Sequence, residues 1–458
     1  MTDTITPKVR SVENMVKRSI EKTKNKSGTP SCPTCHVTLW VSLFFDGTGN
    51  HKERDFPLNH SNIAALVDAH EDQRSNAIYK FYYEGLGRPF EFKDRYETRT
   101  IATRAGLRTT EKIGYKEDSD SLMGKGFAVG IQERIEKALF DFTSEVEGWK
   151  KSRRLDEINL AVFGFSRGAT EARAFLHWLK SHSKVKDEGK RLSYDGVLLR
   201  VKFLGIFDTV ESVGALDASV IKTKIPRFVE KCTHIIAAHE LRDAFSLTSG
   251  DGNTRHVVYP GAHSDVGGGY KPGEQGRSNH LPRIALLQML DEARGAGLKM
   301  KSLGEMQNSK GWETTFKASF DVPADATTAL KNYMAEVKPS GTIQQHFDAH
   351  MAQYWAWIDA GLAAEDIQQK RAAQGAGAPV KELRTMSHLL RYQARTAAGR
   401  GQYGNNPARK AVKPAVEKMF EHYVHDSFEH FSMTGGTVMT DMSSADYYKV
   451  RKILPPTA

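Results

Sequence analysis

Three cysteines in 458 residues are too few to build a disulfide scaffold, so the fold must rest on an apolar core. No hydrophobic run reaches the length of a membrane span; the longest are strand-sized. The first thirty residues, "MTDTITPKVRSVENMVKRSIEKTKNKSGTP", hold no apolar stretch followed by a cleavage site, so they do not read as a secretory signal. Synthesis in the cytoplasm is expected, with export only by a route that reads no such signal. No internal repeat is visible. The basic residues behind the formal charge of +10 are scattered and lack the interleaved aromatic ladder of a single-strand groove, which argues against nucleic acid. That charge favours anionic partners such as phospholipid head groups or an acidic protein; a generally basic surface is the plainer account.

Cys32 and Cys35 sit in "CPTCH", a match to haem attachment or half a zinc site. A zinc site needs further ligands, available only from His36, Cys232 or a distant histidine, and haem needs an exported precursor. A pair of thiols before the first strand, able to form a disulfide under oxidising conditions, is the simpler reading.

An apolar fraction of 39% over this length suffices for a large core. Residues 1–35 read as a charged arm, partly helical around "SVENMVKRSIEK". "HVTLWVSLFFDGTGN" (36–50) then reads as a strand apolar on both faces, as in a parallel sheet covered by helices. A helix is expected over 59–70 and a second strand over 76–87. Residues 88–123 are polar without clear periodicity, which suggests a lid or functional loop. From "GFAVGIQERIEKALFDFT" (126–143) onward, helices and strands alternate through "INLAVFGF", "RGATEARAFLHWL", "VLLRVKFLGIF" (197–207), "KCTHIIAAHELRDAF" (231–245) and "HVVYPGAH" (256–263). Such alternation predicts a mainly parallel sheet. Beyond about residue 283 the pattern turns helical, and "YWAW" reads as helix-packing core.

"AVFGFSRGATEARAF" (161–175) places Ser166 between Gly164 and Gly168, after a short strand and before a helix whose apolar face carries Ala169, Ala172, Phe175, Leu176 and Leu179. This is the context of a nucleophile elbow, where small neighbours let chain segments approach closely. A serine needs a base held by a carboxylate. "FLGIFDTV" delivers Asp208 at the end of a buried strand, and "VVYPGAHSDVGGGY" delivers His263 after another. The chain order Ser, Asp, His and the shared placement at strand ends make Ser166, Asp208 and His263 the expected triad. Asp265 is a rival acid or a loop cap. His425, Asp426 and Ser427 form a late "HDS", a rival source of the histidine that ranks behind His263 because a clear apolar strand precedes His263, and His239 lies in a helical pattern that suggests a structural role. The backbone N–H of Arg167 is one expected oxyanion donor, with a second from Gly47 or Thr48 in "FFDGTGN", where Asp46 would brace the loop. A phosphate cradle is the competing reading of the glycine-rich turns. This turn lacks the Walker lysine, and "GKGFAVG" (124–130) fails the dinucleotide pattern. A scaffold that keeps the elbow without activity is the non-enzymatic alternative.

Four motifs in order, "FFDGTGN", "GFSRGATEAR", "FLGIFDTV" and "YPGAHSDVGGGY", resemble the α/β-hydrolase domain of type VI secretion lipase effectors of the first Tle group, over residues 38–300. The resemblance implies an α/β-hydrolase fold, in keeping with the mainly parallel sheet flanked by helices expected in 36–300; the largely helical cap expected over 301–458 rests on the helical pattern alone. It implies Ser166, Asp208 and His263 as triad and phospholipase A activity without metal or cofactor. It also implies delivery to a rival cell's periplasm, a spike-protein (VgrG-type) carrier and a cognate immunity protein. "YVHDSFEHF" resembles a late segment of the family, which implies a structural role there. A non-lipolytic serine esterase is the alternative within the same chemistry.

Overall fold

The computed structural model describes residues 6, 36–88, 97–102, 108–113, 125–152, 155–211, 221–373, 386–399, 412–429 and 446–458. The expected N-terminal arm, apart from Thr6, and the Cys32/Cys35 pair lie outside them. Twelve strands are described: β1 (Val37–Phe45), β2 (Ile78–Tyr83), β3 (Glu97–Ala102), β4 (Arg108–Ile113), β5 (Leu155–Phe165), β6 (Val185–Asp187), β7 (Leu192–Tyr194), β8 (Val197–Phe207), β9 (Cys232–Ala237), β10 (Leu247–Thr248), β11 (Thr254–Tyr259) and β12 (Ile453–Leu454).

The main sheet has eight strands and runs β11-β9-β8-β5-β1-β2, with β7 on β8 and β6 on β7. All pairings along that path are parallel; only the short β6–β7–β8 meander is antiparallel. Its strands are apolar on both faces, as anticipated. In β1, Phe44 joins one core cluster while Val41, Leu43 and Phe45 join the other. The helices Lys125–Ser152 and Arg167–Ser181 cover the second face; Asn62–Ala69 and Leu281–Gly295 cover the first. Burying each large apolar side chain stabilises the fold by about 1.5–3 kcal/mol, so the doubly covered sheet is its main source of stability.

The first-face core continues without a break into the C-terminal helices, through Tyr333, Met351, Trp357 and Phe420. Those helices are Leu303–Gln307, Lys317–Phe320, Ala324–Val337, Ile343–Ala373, His388–Gly399 and Pro414–His422. Tyr354 and Trp357 of "YWAW" are core, as expected of a helical aromatic stripe.

Several local expectations change. The polar 88–123 stretch contains an antiparallel hairpin, Glu97–Ala102 against Arg108–Ile113; Arg88 is also described, and the remainder lies outside the described residues. His239 lies in no helix: β9 ends at Ala237 and the chain leaves the sheet as a loop. The β-branched run "CTHII", paired on both sides, outweighs the helical spacing of "HELRDAF". The helical pattern expected beyond residue 283 does not continue through "YVHDSFEHF": the helix Pro414–His422 ends before it. Among the described residues, no helix is long and apolar enough to cross a membrane.

Candidate active site

Ser166 stands where β5 turns into the helix Arg167–Ser181, with φ 58° and ψ −125°. A non-glycine residue in that region carries strain of order 1–3 kcal/mol, which surrounding contacts must enforce. They are visible. The Ser166 N–H donates to Phe207 O (3.0 Å), and its carbonyl accepts from Ala169 N (3.1 Å) and Val210 N (3.3 Å). A Cβ on Gly164 would lie 2.4 Å from Gly168 O, and one on Gly168 would lie 2.3 Å from Asp46 O. Both glycines are therefore required by close backbone approach.

Asp208 follows β8 directly, at φ 43°. Its N–H donates to Ile235 O, which fixes it across the end of β9. His263 opens the short helix His263–Gly267 beyond β11. Its Nδ1 meets Asp208 Oδ2 at 2.6 Å. The ring of Phe165, the residue before Ser166, packs on the imidazole with centroids 4.6 Å apart. Phe245 packs edge-on against the same imidazole at 5.0 Å. Ser166, Asp208 and His263 are 4%, 0% and 5% exposed and lie beyond the carboxyl ends of β5, β8 and β11, parallel strands of the one sheet.

Asp208 accepts further bonds from Ala237 N (2.9 Å) and from both terminal nitrogens of Arg451 (2.5 and 2.9 Å). Burial alone would raise its carboxyl. The Arg451 charge and the His263 bond outweigh that and hold it well below the usual carboxylate range. Burial lowers the His263 pKa, with Asp208 opposing, so the imidazole is neutral at neutral pH and able to take a proton. The backbone N–H of His263 donates to Glu240 Oε2 (3.3 Å), and Glu240 pairs with Arg242, which stacks on Phe245. Burial opposes ionisation of Glu240, yet Arg242 brings it down to about 2.

Arg167 occupies the first helical position after Ser166. In the loop after β1, Gly47 N–H donates to Asp46 Oδ1 (2.7 Å), so this expected oxyanion donor is already engaged. Asp46 also accepts from Tyr82 OH (2.7 Å), and burial, partly offset by its hydrogen bonds, raises its pKa to about 6. It braces the loop. Thr48 has a buried Oγ1 with no hydrogen-bond partner. The rivals pair with each other: Asp265 Oδ1 meets His425 Nδ1 at 2.6 Å, while Asp265 Oδ2 accepts from Ala262 N and His425 N. Asp426 accepts from Ser387 and Tyr447, and Ser427 is buried. His239 accepts from Gly261 N and contributes to the fold.

Arg451, Glu240, Arg242 and Phe245 were not among the expected site residues: Glu240, Arg242 and Phe245 follow β9 in a stretch whose spacing imitates a helix, and Arg451 lies in no motif. Among the described residues, no group of three or more His, Cys, Asp or Glu is placed to hold a metal ion.

The family model described as the T6SS phospholipase effector Tle1-like catalytic domain matches residues 41–195 and 181–292, more than half of the chain. The chain belongs to this family. As a Tle1-like protein it is a member of a phospholipase effector family of type VI secretion. The crystal structure of an uncharacterized protein from Pseudomonas aeruginosa is similar at TM-score 0.52 and 22% identity, over 90% of this chain and 70% of that one. The structure of the Tle1 effector bound to the VgrG spike of the type 6 secretion system matches more loosely, at TM-score 0.43 and 18% identity over 71% and 88% of the two chains. No curated protein matches the chain at a significant level.

Proposed function

We propose that this Tle1-like chain is a serine-dependent phospholipase A in which Ser166 attacks an acyl ester of a membrane phospholipid. The observation that carries it is the strained elbow at Ser166 beside the buried Asp208–His263 pair. His263 takes the proton of Ser166 Oγ as the oxygen bonds the ester carbonyl carbon. The tetrahedral oxyanion is met by the backbone N–H groups of Arg167 and Thr48, at the positive end of a helix. Collapse breaks the ester C–O bond, and His263 returns its proton to the departing lysophospholipid oxygen. Water, deprotonated by the same histidine, then releases the fatty acid and restores Ser166.

In this reading the formal charge of +10 favours anionic membrane surfaces. Family membership supports export by the type VI machinery; a VgrG-type spike carrier, action in the target cell's periplasm and neutralisation by an immunity protein in the producer complete the proposal.

The test is hydrolysis of vesicles made from a phospholipid with two different acyl chains, with products read by mass spectrometry. Wild-type protein releases one chain preferentially, and Ser166→Ala releases neither. Wild-type rates in Ser166→Ala would sink the serine mechanism. Turnover of short esters with intact phospholipid would identify a non-lipolytic esterase.

A further inference from the structure

Arg451 lies on the segment 446–458, which crosses the carboxyl edge of the sheet. Tyr447 O accepts from Trp355 Nε1, β12 pairs with β10, and Thr457 is bonded to Thr223 and Glu211. Between these anchors the Arg451 side chain is buried, and each of its nitrogens has a partner. Nη1 donates to Asp208 Oδ1 (2.5 Å) and Ala237 O (3.1 Å), Nη2 to Asp208 Oδ2 (2.9 Å), and Nε to Phe245 O (2.9 Å). Asp208 and Phe245 are two of the groups that touch the His263 ring. The planar guanidinium fork suits this task, because a lysine ammonium cannot hold a carboxylate bidentately and a carbonyl at a fixed angle together.

We infer that Arg451 is a positioning residue: by holding the Asp208 carboxylate and the Phe245 carbonyl, it fixes the orientation of His263 toward Ser166. This rests on the serine-hydrolase reading of the site. Arg451 also adds one positive charge to the set around the imidazole. Asp208 and Glu240 favour the imidazolium and Arg242 opposes it; Arg451 lies one step further out, bonded to Asp208, and the buried His234 behind Asp208 has its pKa pushed down, chiefly by burial with Arg451 a smaller cause. Without Arg451, Asp208 is shared with no competing cation, and His263 keeps its proton to higher pH.

The experiment uses the full chain, a short-chain p-nitrophenyl ester and a fluorophosphonate probe of Ser166, each followed against pH. R451Q lowers kcat about 10- to 100-fold, as expected for a small misplacement of a reacting group, with KM nearly unchanged. Its acid limb moves to higher pH. R451K keeps the charge and loses the fork, so its acid limb stays near wild type while kcat still falls. In a D208N background, R451Q has little further effect, because Arg451 acts through that carboxylate. A folded R451Q with wild-type kcat and pH profile overturns the inference, as does full kcat in R451K should R451Q fail to fold. Multiplying losses in the double variant overturn it too. If the probe fails to label wild type and Ser166→Ala stays active, the serine reading itself has failed. Normal labelling in wild type and in the Arg451 variants alike removes only the role of Arg451.

Discussion

Asp265 and His425 form a second buried carboxylate–imidazole pair, two residues along the chain from His263 and with the same 2.6 Å separation as Asp208–His263. The two pairs are told apart by their surroundings. The His263 ring rests on Phe165, next to Ser166, whereas the His425 ring stacks on Tyr270 with centroids 3.9 Å apart. Asp265 also bonds the Ala262 and His425 backbones, so this pair ties the start of the helix His263–Gly267 to the chain beyond His422. His425→Gln is expected to cost about 1–3 kcal/mol of stability by leaving a buried carboxylate short of a partner, with Ser166 labelling within a few-fold of wild type. His263→Gln should do the reverse, lowering labelling on the order of 10³-fold or more at little cost in denaturant midpoint.

The elbow glycines make a separate prediction. In Gly168→Ala the new Cβ meets the carbonyls of Asp46 and Phe45 at 2.3 and 2.5 Å, and backbone cannot step aside cheaply. A loss of about 1–3 kcal/mol or more is expected, together with loss of esterase activity. Gly148, in the interior of the helix Lys125–Ser152 with open space around its would-be Cβ, is the control. Gly148→Ala should stabilise by roughly 0.5–1 kcal/mol and leave activity alone. Urea melts and ester assays on both variants decide the matter.

The pH profile of kcat/KM should have its acid limb centred below the ordinary histidine value. Burial lowers the His263 pKa, so the neutral base persists to more acid pH, and Asp208, held lower still, stays ionised across that limb. Asp208→Asn should lower kcat by about 10⁴-fold by misorienting the imidazole. A limb centred above 6.5 in wild type would contradict the burial argument.

Folding stability should fall steeply in acid for reasons unconnected with catalysis. Burial brings His60, His70, His239 and His256 down to about 4. Below pH 6.5 the unfolded chain binds protons at these positions that the folded chain refuses. Their contribution is therefore complete above 6.5 and declines from there to about pH 4, by about 1.4 kcal/mol per pH unit for each histidine. Asp46, raised to about 6, has the opposite sign and gains between 6 and its unfolded value, offsetting one of the four. Urea midpoints measured from pH 7.5 to 4.5 test the slope.

The parallel character of the sheet and the meeting of Asp208 with His263 were legible because both residues follow apolar strands, and strand ends gather on one edge of a parallel sheet. Arg451 was not. It reaches Asp208 from 243 residues away, out of a short segment with no periodicity, and no local rule links the two. The Asp265–His425 pair spans 160 residues and was hidden for the same reason; each member looked like a rival for a catalytic role until their bond accounted for both. His239 was misplaced because the spacing of "HELRDAF" imitates a helix, while sheet pairing of the preceding residues decided the local structure.

Arg134 has no exposed surface, and its guanidinium gathers the carbonyls of Glu84, Gly85, Arg88 and Gly130. Gly85 in turn lies so close to Gly47 that a Cβ there would sit 1.7 Å from the Gly47 carbonyl. The long helix Lys125–Ser152 is thus clamped through one cation to the loop that carries Asp46 and Thr48. Damage to a helix that touches none of the proposed reacting groups would loosen the loop proposed to offer the Thr48 N–H to a substrate's carbonyl oxygen.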